Sequence, residues 1–241
     1  MSKSSVLKRL YLLWRERNFF GLRRKLPEDI FSEVYKKNTW GGDPGTFYSG
    51  SGTDHPNVVL YIEHLVEFIK TRKIASIAEI GCGDFTIMQE VLDRVNIHYT
   101  GADIVPELIR HHQEANGNDK RQFIQLNAAK DDLPHADMII IRQVLQHLSN
   151  SDIEKILPKL SKYRYAYITE HLPVTDNVEY NLDKITGPHI RMRVNSGVFI
   201  DMPPFNCKNV SVLFEYRQDD KLKRKLVPAV IRTYMVDNTR R

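Results

Sequence analysis

The chain has 241 residues, of which 41% are hydrophobic and 27% charged, and a formal net charge of +5. These values fit one globular domain with additions at its ends. No apolar run approaches the roughly 18 residues of a membrane span, and the opening segment carries charges inside its apolar stretch, unlike a secretory signal. Cys82 and Cys207 lie far apart, without the spacing of zinc ligands or of a disulfide framework. We therefore expect a cytoplasmic protein without a bound metal.

The N-terminal segment is basic. Residues 3–25 contain eight Lys and Arg residues against the single acid Glu16. This excess predicts either a solvated helix face or a surface for nucleic acid, an anionic membrane or a partner protein. The next stretch, PEDIFSEVYKK, predicts a helix, and the glycines and prolines of residues 38–56 predict a loop. We expect residues 1–55 to form an N-terminal addition of basic helix, second helix and Gly/Ser lid loop, and residues 56–241 to form the main domain.

From Pro56 onward, helical and strand patterns alternate. Strands such as IASIAEI, HYTGADI and ADMIIIRQ follow in turn with helices such as TIMQEVLDRV and PELIRHHQEAN. This order predicts an α/β fold with a doubly wound, mostly parallel sheet, helices on both faces and ligands at the carboxyl ends of the strands. Ser151 and Glu154 predict a capping box for the fourth helix of this series, and Pro158 predicts its kink or early end. Near the C-terminus, VSVLFEYR and AVIRTYMV predict an antiparallel pair at the sheet edge.

The strand IAEI ends in the turn GCGD, where carboxylates crowd two glycines. Gly81 and Gly83 allow the backbone to approach a ligand closely. Glu79 precedes the turn and Asp84 is expected at the N-cap of the next helix, so a pyrophosphate would meet negative charge where it needs exposed N–H groups. Asp103 ends the next strand, where a carboxylate accepts both hydroxyls of a ribose. These residues predict a cationic ligand with a ribose, and S-adenosylmethionine has both features.

Residues 38–172 resemble the class I S-adenosylmethionine-dependent methyltransferases in the order of four motifs. The motifs are EIGCGD, GADI, LNAA and IIIRQVLQHLS, and Phe85 replaces the third glycine that is common in this family, which narrows the turn. The resemblance implies a Rossmann-like fold, S-adenosylmethionine as cofactor and S-adenosylhomocysteine as product. It also implies that the Gly/Ser loop approaches the methionine carboxylate with Ser51 or Thr53. The other cofactor-binding residues that it implies are Glu79, Gly81, Cys82, Gly83, Asp103, Ile104, Asn127, Ala128 and Gln143.

Three residues near the expected cavity are candidates for catalysis. His147 has an imidazole that can take a proton from a hydroxyl or an ammonium near neutral pH; the alternative is a role in packing or helix capping. Glu170 and His171 are expected after the fifth strand at the cavity rim, where they would deprotonate an acceptor hydroxyl or else form an exposed loop pair. Methyl transfer from a sulfonium depends strongly on positioning, so the catalytic inventory can be short.

Residues 173–206 are too long and too polar for a simple connection, and the family often inserts substrate-recognition elements here. The candidates for binding the acceptor in this insertion are Asn181, Asp183, His189, Arg191 and Arg193. In an extended segment the two arginines share one face and, with the histidine, clamp a phosphate or carboxylate, or they are ordinary surface arginines. The asparagine and aspartate bind sugar hydroxyls or cap local turns. In the lid loop, Trp40 and Tyr48 either cover the substrate or pin the loop to the core.

The leading hypothesis is a methyltransferase that O-methylates a sugar, a glycan or another small polar acceptor, phosphorylated acceptors included. The cofactor motifs and the polar insertion support it, and the segment after the fourth strand lacks the NPPY-type motif of N-methyltransferases. A second hypothesis is an RNA methyltransferase that uses the basic leader and the turn KLKRK as a phosphate footprint. A third is a catalytically inactive, methyltransferase-like interaction protein.

Overall fold

The computed structural model describes residues 3–20, 25–222 and 225–239. The α-helices in these ranges are α1 Lys3–Phe20, α2 Pro27–Lys36, α3 Val58–Thr71, α4 Thr86–Leu92, α5 Pro106–Asn116 and α6 Asn150–Ile156. The strands are β1 Ser76–Ile80, β2 His98–Asp103, β3 Arg121–Gln125, β4 Met138–Arg142, β5 Tyr165–Pro173, β6 Glu179–Tyr180, β7 Ser196–Gly197, β8 Val210–Arg217, β9 Asp220–Leu222, β10 Lys225–Val227 and β11 Ala229–Asp237. Turns of 3-10 helix occupy Leu145–His147, Leu157–Lys162 and Arg191–Val194.

Seven strands form one sheet in the order β3-β2-β1-β4-β5-β11-β8. Strands β1 to β5 pair in parallel, and β11 lies antiparallel between β5 and β8. The predicted fold class, a mostly parallel sheet with an antiparallel C-terminal edge pair, is confirmed. Because the strand order reverses between β1 and β4, the carboxyl ends of these two strands border a crevice, which is where open α/β sheets bind ligands.

Alternate residues of the central strands face opposite sides of the sheet, and each side has its own apolar cluster. Ile77 belongs to the cluster that contains Tyr61 and Leu65 of α3 and residues of α2, α4 and α5. The next residue, Ala78, belongs to the cluster that contains Ile153 of α6 and Ile200. Helices therefore cover both faces of the sheet, and the buried strands hold their carboxyl ends in fixed positions.

Helix α6 begins earlier than its sequence suggests. Ser149 is the N-cap, with an extended backbone and a hydroxyl that accepts a hydrogen bond from the backbone N of Asp152 at 3.2 Å. The predicted capping box of Ser151 and Glu154 is therefore wrong, because the helix has already started when the chain reaches Ser151. The α-helix ends two residues before Pro158 and continues as a 3-10 turn, which confirms the predicted early end.

Helix α1 packs on the insertion that follows β5. The contacts between them are the apolar cluster of Leu12 with Leu182 and Val194 and the ion pairs Lys8–Glu179 (2.6 Å) and Arg9–Asp183 (3.5 Å). The described part of the predicted basic leader is thus a helix that is attached along one side to the insertion. The basic residues at positions 23 and 24, and positions 223 and 224 in the predicted KLKRK footprint, lie outside the described residues.

Candidate active site

A cavity of about 220 Å³ opens at the carboxyl ends of β1, β2, β3 and β4. The predicted cofactor residues that line it are Glu79, Gly81, Cys82, Gly83, Asp103, Ile104, Asn127, Ala128 and Gln143. Further lining residues come from α2, the lid loop, the end of β4 and the segment after it: Phe31, Tyr35, Trp40, Ser49, Gly52, Thr53, Arg142 and His147. Residues from four strand ends that are distant in sequence therefore meet in one place, as a parallel sheet requires.

The turn after β1 needs its glycines. Gly81 has φ +72°, and a Cβ at this position would lie 2.3 Å from Cγ2 of Val144. Gly83 has φ +54°, and a Cβ there would lie 2.4 Å from Oγ of Ser49. Because neither the backbone conformation nor the space suits a larger residue, the turn lies directly against the segment after β4 and against the lid loop.

Phe85 stands where the third glycine of the family is expected, and its backbone is left-handed, with φ +64°. This conformation costs a non-glycine residue about 1–2 kcal/mol. The ring is buried, with its centroid 5.5 Å from that of Tyr99, 5.0 Å from that of Phe123 and 5.7 Å from that of His112. The aromatic core therefore accommodates the side chain while the backbone keeps the conformation that a glycine would adopt.

Two carboxylates line the cavity at the ends of β1 and β2. Oε2 of Glu79 accepts a hydrogen bond from the hydroxyl of Tyr99 at 2.5 Å, and burial raises the Glu79 pKa to about 8. Asp103 accepts from the backbone N of Gly83 at 3.2 Å and of Val105 at 3.1 Å, and burial raises its pKa. In both cases the loss of water disfavours the ionised form of the carboxyl group. A cation or a hydrogen-bond donor in the cavity would stabilise this ionised form.

Two polar residues at the end of β4 bring buried donors to the cavity. Gln143 has φ +56°, and Nε2 of its amide is buried without a hydrogen-bond partner among the described residues. Nη2 of Arg142 donates to the carbonyl of Gly52 at 2.8 Å, whereas its Nε is buried and unpartnered within the described part of the chain. Arg142 was not predicted, although a cation at the end of the apolar run MIIIR was a signal for it. Buried donors without partners indicate a place for a polar ligand.

The lid loop is fastened to the glycine turn by reciprocal hydrogen bonds. The backbone N of Ser49 donates to Oδ2 of Asp84 at 2.9 Å, and the backbone N of Asp84 donates to Oγ of Ser49 at 2.7 Å. The hydroxyl of Tyr35 lies 3.2 Å from the same Oγ. The prediction of Asp84 as the N-cap of α4 is wrong by one residue, because Phe85 stands there; Asp84 accepts from the backbone N of Thr86 at 3.1 Å.

Ser51 is exposed and does not line the cavity, so the structure does not place it where the predicted contact with the cofactor would be made. The reason is a turn in the lid loop, in which the backbone N of Thr53 donates to the carbonyl of Gly50 at 3.1 Å. This turn places Ser49 and Thr53 at the cavity and Ser51 outside it. Thr53, the predicted alternative, therefore remains a candidate.

The two aromatic residues predicted in the lid loop have different positions. Trp40 lines the cavity, donates from Nε1 to the carbonyl of Pro188 at 3.1 Å, and its ring centroid lies 5.0 Å from that of His147. Tyr48 does not line the cavity, because its hydroxyl bonds to Asp54, an interaction that raises the Tyr48 pKa to about 12. The position of Tyr48 favours the alternative in which it pins the loop, and its contact with the substrate stays a prediction.

His147 lies in the wall of the cavity next to Trp40 and Phe31. Burial, assisted by the positive charge of Lys184, lowers its pKa to about 3, and Nδ1 is buried without a partner among the described residues. The ring is therefore neutral at ordinary pH, and one of its nitrogens is a hydrogen-bond acceptor. It is a weaker base than the unperturbed imidazole that the sequence predicts.

Glu170 and His171 lie away from the cavity, so the prediction that they form its rim is wrong. Strand β5 continues through both residues and ends later than expected. Glu170 is fully buried, and its carboxylate accepts from the backbone N of Leu145 at 3.1 Å and of Gln146 at 3.0 Å. A ring nitrogen of His171 lies 2.8 Å from the carbonyl oxygen of Gln218. Both side chains therefore hold backbone segments in place.

The predicted anion clamp in the insertion is also wrong. Arg191 is 1% exposed, and its guanidinium donates to the carbonyls of Leu182 (2.6 Å), Gln146 (3.0 Å) and Leu148 (2.8 Å). It lies in a 3-10 turn rather than in an extended segment, and this turn leaves Arg193 exposed. The two arginines therefore do not share a face.

Asn181, Asp183 and His189 likewise bond within the chain. Nδ2 of Asn181 donates to three backbone carbonyls at 2.9, 3.2 and 2.9 Å. Asp183 accepts from the backbone N of Asn150 at 2.9 Å, in addition to its ion pair with α1. Nδ1 of His189 lies 3.0 Å from Nη2 of Arg15. These side chains hold the insertion together and connect it to α1 and α6, and none of the three lines the cavity, so their role in binding the acceptor stays a prediction.

Neither a metal site nor a membrane span is found in the part of the chain that the structure describes. No three His, Cys, Asp or Glu side chains of these residues are grouped as ligands. None of the described helices is long and apolar enough to cross a membrane.

The comparison with known proteins agrees with this architecture. Residues 78–163 match the family model of a methyltransferase domain, whereas no curated protein is significantly similar in sequence. Among solved structures, N-methyltransferase NodS from Bradyrhizobium japonicum WM9, in complex with S-adenosylhomocysteine, has a TM-score of 0.55 at 10% identity over 86% of this chain and 99% of that one. The N-terminal domain of EvdMO1, in the presence of S-adenosylhomocysteine and D-fucose, has a TM-score of 0.51 at 13% identity over 89% and 98%.

A third structure comes from a study of the conversion of a disulfide bond into a thioacetal group during echinomycin biosynthesis. It has a TM-score of 0.53 at 16% identity and covers 88% of this chain and 93% of that one. Similarity at such low identity is a similarity of fold. These structures therefore show that the chain has the Rossmann-like fold that they share, and residues 78–163 are similar to a methyltransferase domain.

Proposed function

We propose that the chain is an S-adenosylmethionine-dependent methyltransferase that O-methylates a small polar acceptor such as a sugar. The observation that carries this proposal is the group of Glu79, Asp103 and two unpartnered buried donors around one cavity at the ends of β1, β2 and β4. NodS, which has the same fold, was solved with S-adenosylhomocysteine. A pyrophosphate cofactor would be repelled at this cavity, because carboxylates stand where it needs N–H donors.

The residues around the cavity fit S-adenosylmethionine. Asp103 suits the ribose hydroxyls. Burial raises the pKa of Glu79 to about 8, and a cationic group in the cavity would favour the ionised form of this carboxyl. The unpartnered Nε of Arg142 and Nε2 of Gln143 suit a carboxylate. The apolar side chain of Ile104 provides a surface for a base. When bound, the cofactor supplies a methyl group on a sulfonium, which is already activated for transfer.

The acceptor side of the proposal rests on the wall formed by Phe31, Trp40 and His147. The aromatic side chains offer apolar surface to a sugar ring, and the neutral imidazole of His147 accepts a hydrogen bond from a hydroxyl and so orients it. EvdMO1 was solved in the presence of D-fucose, a sugar, which supports an acceptor of this class. The residues of the insertion once expected to bind the acceptor are not needed for this arrangement.

Calorimetry with S-adenosylmethionine, S-adenosylhomocysteine and NAD tests the cofactor assignment. We expect micromolar binding of the first two and none of NAD. Asp103→Ala should weaken binding at least about 100-fold, because two hydrogen bonds to a charged acceptor are lost. Asp132→Ala is the control, since the Asp132 side chain is 94% exposed and does not line the cavity. Affinity of Asp103→Ala within a few-fold of wild type would contradict the ribose assignment.

Transfer of labelled methyl to a panel of neutral sugars, sugar phosphates, small amines and RNA tests the acceptor. A hydroxyl-bearing small molecule is the expected substrate, and the product should carry the label on oxygen. Inactivity with all neutral and anionic glycans would reject the sugar acceptor, and transfer to an amine or to RNA would replace it. The cofactor assignment is judged separately by the calorimetry, so the two parts can fail independently.

A further inference from the structure

Helix α1 has apolar side chains on two opposite sides. On the inner side, Leu12 is 1% exposed and packs on the insertion. On the other side, large apolar residues remain in solvent although they belong to a regular helix. We call these residues the outer face of α1: Val6 (44% exposed), Leu7 (67%), Leu10 (55%), Tyr11 (38%) and Trp14 (62%).

The outer face is continuous. Its residues recur at intervals of three and four along the helix, which places them side by side, and they extend over about 14 Å of helix axis. The rings of Tyr11 and Trp14 stack with their centroids 6.3 Å apart. The exposure of all five side chains shows that no residue in the described ranges covers them. The helix therefore presents a compact apolar strip that the rest of the described chain leaves open.

The strip lies in a strongly basic segment. Within residues 3–25, eight Lys and Arg residues face only one acid, Glu16. Lys8, Arg9 and Lys25 pair with Glu179, Asp183 and Glu33 outside the segment. The eight cations and Glu16 give the segment itself a formal charge of +7, and Glu33 is shared between Lys25 and Lys37. Arg193, which is exposed, adds a further charge from the 3-10 turn on which α1 packs.

We propose that the outer face of α1 lies in the interface of an anionic lipid membrane, with the helix parallel to the bilayer plane. Leu7 and Leu10 would enter the acyl boundary, Tyr11 and Trp14 would lie at the level of the headgroups, and the basic surplus of the segment would attract anionic lipids. This inference is independent of the methyl-transfer reaction, because it uses no residue of the cavity.

Charge and size favour a membrane over a second copy of the chain. A symmetric dimer through α1 would bring two segments of like charge together. With a helix diameter of about 10 Å, a strip about 14 Å long covers roughly 140 Å², well below the approximately 800 Å² that each partner contributes to a stable interface. An anionic bilayer has neither restriction, since it supplies the opposite charge and needs only one helix face.

Flotation with vesicles tests the proposal on the full chain. We expect binding to vesicles of phosphatidylcholine with phosphatidylglycerol that is at least about tenfold stronger than to phosphatidylcholine alone, and that weakens at high salt. The double variant Leu10→Ser/Trp14→Ser should reduce binding about tenfold or more. Val212→Ser is the matched control, because Val212 is a similarly exposed apolar residue (48%) on the edge strand β8; it should bind like wild type.

A second measurement keeps the wild-type outer face intact. The chain has two tryptophans, so Trp14 is the only one in the variant Trp40→Phe. Its emission should shift to shorter wavelength with anionic vesicles and remain unchanged with neutral ones. No binding to anionic vesicles, equal loss in Val212→Ser, or an unshifted emission would overturn the proposal. So would sedimentation of a dimer that Leu10→Ser/Trp14→Ser converts to monomer, because the face would then be covered by a second copy.

Discussion

The carboxyl ends of β1 to β4 and the insertion after β5 are both rich in polar side chains, but they use them differently. At the strand ends, Glu79 and Asp103 line a cavity, and Arg142 and Gln143 leave buried donors without partners among the described residues. In the insertion, Arg191 and its neighbours direct their polar atoms to backbone carbonyls. The two regions therefore differ in what their polar atoms meet: a cavity with unpartnered donors in the first, and backbone carbonyls of the protein in the second.

This difference teaches that polar composition alone does not identify a binding site. A buried polar group has a high free-energy cost until it finds a partner. The long insertion has few regular hydrogen bonds of its own, since β6 and β7 have two residues each. Side chains such as Asn181 satisfy its backbone instead. The parallel sheet satisfies its own backbone and leaves the side chains at its ends available for a ligand.

The largest effect is expected for Arg191→Met. Three backbone carbonyls would lose a charged donor, and we expect the free energy of unfolding to fall by about 3–5 kcal/mol. Urea denaturation of the purified variant measures this change. Arg193→Met is the matched control, since this neighbouring arginine is exposed and should change stability by less than about 0.5 kcal/mol. Comparable stability of the two variants would show that the hydrogen bonds of Arg191 do not stabilise the insertion, and the difference between the insertion and the cavity would then be lost.

The second prediction concerns the cavity and the effect of Glu79 on the pH dependence of stability. Burial raises the pKa of Glu79 to about 8, above its ordinary value of 4.5, so the folded protein keeps this carboxyl protonated while the unfolded chain ionises it. Its contribution to stability is therefore complete below about pH 4.5 and is lost as the pH rises toward 8, at about 1.4 kcal/mol per pH unit. Glu79→Gln should remove this part of the slope.

Urea denaturation over the range from about pH 5 to 7.5 measures the slope. Glu107→Gln, at an exposed position of α5, is the control and should keep the wild-type slope. Burial also raises the pKa of Glu170 to about 8, so the Glu79→Gln variant should retain a slope of the same sign. An unchanged slope in Glu79→Gln would show that this carboxyl is ionised in the folded protein.

The smallest effect concerns the lid loop. Ser49→Ala removes the acceptor for the backbone N of Asp84, a loss of about 1 kcal/mol that should weaken binding of S-adenosylhomocysteine about fivefold. Ser51→Ala should change the affinity by less than about twofold, because Ser51 is exposed outside the cavity. Calorimetry compares the two variants. A larger effect at Ser51 would restore the contact that the sequence predicts.

The strand-end residues could be predicted from the sequence because their positions follow from local pattern and sheet geometry. Each parallel strand has a polar residue at or near its carboxyl end, and all such ends meet at one edge of the sheet. Asp103 was predicted in this way, whereas Asn127 was implied by the family resemblance, and both line the cavity. Phe85 did not fit the pattern, because its left-handed backbone depends on an aromatic core built from distant segments.

The insertion and the lid could not be predicted in the same way. The orientation of Arg191 depends on a 3-10 turn and on carbonyls about 45 residues away in sequence, such as that of Gln146. Neither the 3-10 turn nor the contact with distant carbonyls produces a periodic pattern in the sequence. In the lid loop, one turn at Gly50 places Ser49 at the cavity and Ser51 outside it. An irregular segment therefore reveals its composition in the sequence, but not which of its side chains face inward.

The fastening of the lid also affects the rate at which a ligand enters and leaves. The bonds between Ser49 and Asp84 and between Trp40 and Pro188 hold the loop in place at the cavity. If these bonds must open before entry, association is slower than diffusion and is set by the fraction of open molecules. The same opening then governs departure, so the residence time of a bound ligand depends on how often the loop opens.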